Sequence, residues 1–100
     1  MNHLIKSSDF TTQMTDLISD YPKMSDFSQA VEWALSHANT DFAWASNVSG
    51  DYYTWHTCEM VGIPECVIMF KYLVPSQEVI LVAITEIIDE SENVFLDLRV

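Results

Sequence analysis

The sequence predicts an α+β domain in which an N-terminal helical hairpin packs on an antiparallel sheet of about four to five strands. Three observations lead there. Apolar residues recur at helical spacing from Phe10 to Ala38. Beyond residue 40 the hydrophobic period changes from 3.6 to 2. Two near-continuous apolar runs, 66–74 and 79–88, are joined by the turn-forming Pro75-Ser76-Gln77-Glu78, which is the pattern of a hairpin between central strands. At 100 residues, with 49% apolar and 12% aromatic side chains and only 2 Gly and 3 Pro, the chain reads as a single domain, residues 1–100, able to bury its own core.

The first helix opens at Ser7 or Ser8, places Phe10, Met14, Leu17, Ile18 and Tyr21 on one side, and stops before Pro22. Asp9, Asp16 and Asp20 fall in one narrow stripe beside that apolar face. A second helix is expected from Ser25, whose hydroxyl can cap the first turn, with Phe27, Ala30, Val31, Ala34, Leu35 and Ala38 as its buried stripe. Residues 42–45 suit either a short strand or a last helical turn, and Asn47-Val48-Ser49-Gly50-Asp51 is turn-prone. Residues 51–57 alternate as a strand, with Tyr53, Trp55 and Thr57 on one face and Tyr52, Thr54 and His56 on the other. The charged turn 89–93 precedes an alternating segment, 94–100, that reads as an edge strand.

Charge is the most unusual feature. Fifteen Asp and Glu stand against Lys6, Lys23, Lys71 and Arg99, a formal net charge of −11. Direct binding of nucleic acid or an anionic membrane needs clustered Lys and Arg, so both are excluded, and the field instead attracts basic proteins. The same acidity also serves plain solubility. No apolar stretch approaches membrane-spanning length, no secretory signal opens the chain, and Cys58 and Cys66 are too few for a disulfide scaffold, so the expected compartment is the cytoplasm.

Catalytic signals are sparse. His56 and Cys58 have the minimum chemistry of a thiolate site, but no third group stands out in the sequence to orient the histidine, and the Cys58 to Cys66 spacing fits no zinc pattern. No catalytic residue, metal or cofactor is assigned. Clustered Trp44, Tyr52, Tyr53 and Trp55 serve either core packing or a protein interface. The residues expected to bind a partner are therefore acidic and aromatic: Asp9, Asp16, Asp20, Glu86, Asp89, Glu90, Glu92 and Asp97, with Tyr52 and Trp55. An edge strand offers a homodimer contact.

A short strand at His3-Leu4-Ile5-Lys6, a first helix after Ser8-Asp9-Phe10, a second helix, and strands with the texture of Cys66-Val67-Ile68-Met69-Phe70-Lys71-Tyr72 and Val79-Ile80-Leu81-Val82-Ala83-Ile84 together resemble the RelE/ParE toxin superfamily over roughly residues 1–88. That resemblance implies a helix pair on an antiparallel sheet and, in members that cut messenger RNA, basic residues on the sheet. Here the third strand carries only Lys71, so no catalytic residue transfers. In size and charge the chain is also similar to phage anti-CRISPR and anti-restriction proteins. The function expected is accordingly a small acidic inhibitor or decoy that engages a basic surface of a nucleic-acid-handling enzyme. The alternatives are a RelE/ParE-like ribonuclease working through Lys71 or His56, and an immunity or antitoxin-type partner.

Overall fold

The computed structural model of the chain describes residues 2–37 and 45–88. The expected segment 42–45 lies, but for Ala45, outside them, as do the turn 89–93, the strand 94–100, and with them Asp89, Glu90, Glu92 and Asp97. The elements run β1 (His3–Lys6), α1 (Ser8–Asp20), α2 (Met24–His37), β2 (Ser46–Ser49), β3 (Tyr52–Thr57), β4 (Cys66–Leu73) and β5 (Glu78–Glu86). The strands form one sheet in the order β1-β5-β4-β3-β2.

The fold is α+β, with two corrections to the sequence reading. The strand expected at His3–Lys6 is present as β1, but it pairs with β5 in parallel, so the sheet is mixed and not purely antiparallel. Both helices and three strands separate β1 from β5, a connection long enough for the crossover that a parallel pair needs. The second correction is β2, where the sequence suggests only a turn. All four of its residues are exposed, so it carries no hydrophobic alternation to announce it. The turn sits one step later, at Gly50 with φ +56°, a left-handed conformation that glycine adopts without cost. Asn47 holds that turn, donating from Nδ2 to the carbonyls of Gly50 and Tyr52, both at 3.0 Å.

Ser7 shows how the first helix is fixed to the sheet. Its Oγ accepts from the Phe10 amide at 3.0 Å as the helix N-cap and donates to the Val82 carbonyl at 2.8 Å, while its own amide donates to the Leu81 carbonyl. Met69 pairs with Ala83 and Phe70 with Leu81, which leaves Val82 as the extra residue of a bulge in β5. The cap of α1 thus satisfies the irregularity of the strand beneath it. One turn further on, the Gln13 Oε1 accepts from the Ile84 amide at 2.9 Å.

The second helix begins at Met24, one residue earlier than expected, and Ser25 lies inside its first turn, its amide donating to the Pro22 carbonyl at 3.3 Å. The capping role expected of Ser25 therefore does not hold. Met24, Phe27, Val31 and Leu35 form the buried stripe, with Ala30 exposed and Ala34 half-buried. With Phe10, Met14 and Leu17 they pack onto Cys66, Ile68, Phe70 and Tyr72 of β4 and Val79, Leu81 and Ile84 of β5. Both helices cover this one sheet face. Alternate residues of β4, namely Val67, Met69, Lys71 and Leu73, point the other way and are half-buried.

Candidate functional site

Asp9, Asp16 and Asp20 are all exposed on α1. Their spacings of seven and four residues return to within about 20° and 40° of one radial direction. The stripe thus forms a ridge along the solvent side of the helix, with rises of about 10.5 and 6 Å between successive carboxylates. Two ion pairs occur among the described residues, Lys6 with Glu32 at 3.4 Å and His56 with Glu65 at 2.7 Å, and neither involves the ridge.

At its C-terminal end the ridge meets a second acidic group. Tyr21 caps α1 and donates its hydroxyl to Glu86 Oε2 at 2.7 Å, fastening the end of the helix to the end of β5. The hydrogen bond to Glu86 holds the Tyr21 phenol above its ordinary range, reinforced by desolvation and by the charges of Glu86 and Asp20. Glu86, Glu59 and Glu65 surround a cleft of about 280 Å³ whose other walls are Tyr21, Met60, Gly62, Ile63, Pro64 and Ile87. The loop that frames it is a tight turn in which Met60 and Ile63 exchange amide-to-carbonyl bonds of 2.9 Å across Val61 and Gly62. Gly62 has φ +77°, a conformation that favours glycine, and a Cβ there would stand 2.8 Å from the Lys23 Cδ, a contact the flexible lysine stem can relieve by moving. Val61, 88% exposed, projects beside the acidic cleft.

The two aromatic residues expected to bind a partner are separated by the sheet. Trp55 pairs with Ile68, faces the helices and packs against the core, as does Tyr53, whose ring stacks on Phe70 at 5.5 Å. Tyr52 lies on the opposite face, 40% exposed, with the Lys71 ammonium 5.4 Å from its ring centroid. The structure therefore makes Trp55 a packing residue and leaves Tyr52 accessible.

His56 shares that face with Tyr52 and Lys71, and its Nε2 lies 2.7 Å from Glu65 Oε2, an orienting partner that the sequence did not disclose because nine residues and a loop separate them. Lys71 stands opposite Tyr52, however, and four residues of β3, about 13 Å, separate Tyr52 from His56. Lys71 and His56 thus sit about 13 Å apart along the sheet, each with its own partner, Tyr52 for Lys71 and Glu65 for His56. Cys58 is exposed and Cys66 buried, and burial with the nearby charges of Glu86 and Glu65 pushes the Cys66 thiol up to about 11. Such a thiol is a packing group and a poor nucleophile. Among the described residues no three His, Cys, Asp or Glu side chains come together as metal ligands, and no helix is long and apolar enough to cross a membrane.

Comparison of the chain with protein-family models, with curated proteins and with solved structures finds no match.

Proposed function

We propose that this chain is a small acidic protein that binds a basic surface on another protein, and that a nucleic-acid-handling enzyme, whose groove is lined with Lys and Arg, is the class of partner it suits. The observation that carries this reading is the exposed Asp9-Asp16-Asp20 ridge, whose C-terminal end leads through Tyr21 to Glu86 and the cleft that Glu86 shares with Glu59 and Glu65 at the end of the sheet. Asp9, Asp16, Asp20 and Glu59 are exposed carboxylates outside the two described ion pairs and keep their field for an approaching cation, and such a field raises the rate of encounter more than the final affinity. Tyr52 and the exposed Val61 are the apolar contacts available to complete an interface.

The spacing refines the comparison with phage inhibitors of nucleic-acid enzymes. Three carboxylates over about 16.5 Å of helix are sparser than phosphates, which recur about every 3.4 Å along one strand of a duplex. The ridge supports docking of one helix on a basic patch better than replacement of a whole duplex. Affinity capture from the native host at low ionic strength, eluted with a salt gradient, tests the reading. It expects a basic protein in the eluate of the wild type and its loss from the D9N/D16N/D20N variant. Equal recovery by wild type and triple variant, or no basic protein at all, would contradict it.

A further inference from the structure

We draw no further inference here: the strongest candidate, the cleft at the end of the sheet where Glu59, Glu65 and Glu86 stand around Tyr21, Met60 and Ile63, is an acidic cluster that belongs to the site already described, and nothing in the structure beyond those carboxylates points to a ligand for it.

Discussion

Tyr21 and Cys66 are acids whose neutral forms the fold favours, through the bond to Glu86 for the phenol and through burial for the thiol. In the folded chain each holds its proton to higher pH than in the unfolded chain, so stability is unaffected below the unfolded values and falls as pH rises past them. The decline attributable to Cys66 spans its ordinary value of 9.0 to about 11, and Tyr21 extends it above 10.0. Urea midpoints measured from pH 7 to 11 should be level to about pH 8.5 and then drop, less steeply in Cys66→Ala. A midpoint unchanged through pH 11 would show that neither group is held as described. At this scale the sequence was informative about type and silent about partners. The ridge of Asp9, Asp16 and Asp20 is legible because helical spacing is local. The His56–Glu65 and Tyr21–Glu86 pairs are not, because each joins residues from different elements.

Ser7 is the residue on which α1, β1 and β5 converge, serving as helix cap and as the donor that satisfies the bulged Val82 carbonyl. Ser7→Ala should therefore cost about 2 kcal/mol, near the upper end for an N-cap, because a strand carbonyl loses its donor as well. Chemical denaturation measures it, and a loss under about 0.5 kcal/mol would mean that water replaces both bonds. Gly62→Ala places a methyl group against the Lys23 stem in a left-handed backbone, and a loss of about 1–2 kcal/mol is expected from the conformation alone. A neutral result in the same assay would mean that the loop relaxes. The helices and the β4–β5 hairpin were legible because their apolar periods are long and strong. Polar β2 carries no such signal, and the parallel pairing of β1 with β5 depends on contacts some 75 residues apart, as in Ser7 with Val82.

The whole molecule has two unlike sides. One bears the helix ridge, and the other is a sheet face with Lys71 near its centre. Composition revealed the net charge, but only the fold shows that Trp55 packs against the core while Tyr52 stays accessible, and that Tyr21, next to Asp20, ties the end of α1 to Glu86. The most direct test of the central claim is the affinity of the chain for its captured basic partner, measured between about 50 and 300 mM salt for the wild type and for D9N/D16N/D20N. The account predicts wild-type affinity that falls at least tenfold over that range, and triple-variant affinity that is weaker at low salt and nearly independent of salt. Equal affinities with equal salt dependence would contradict it.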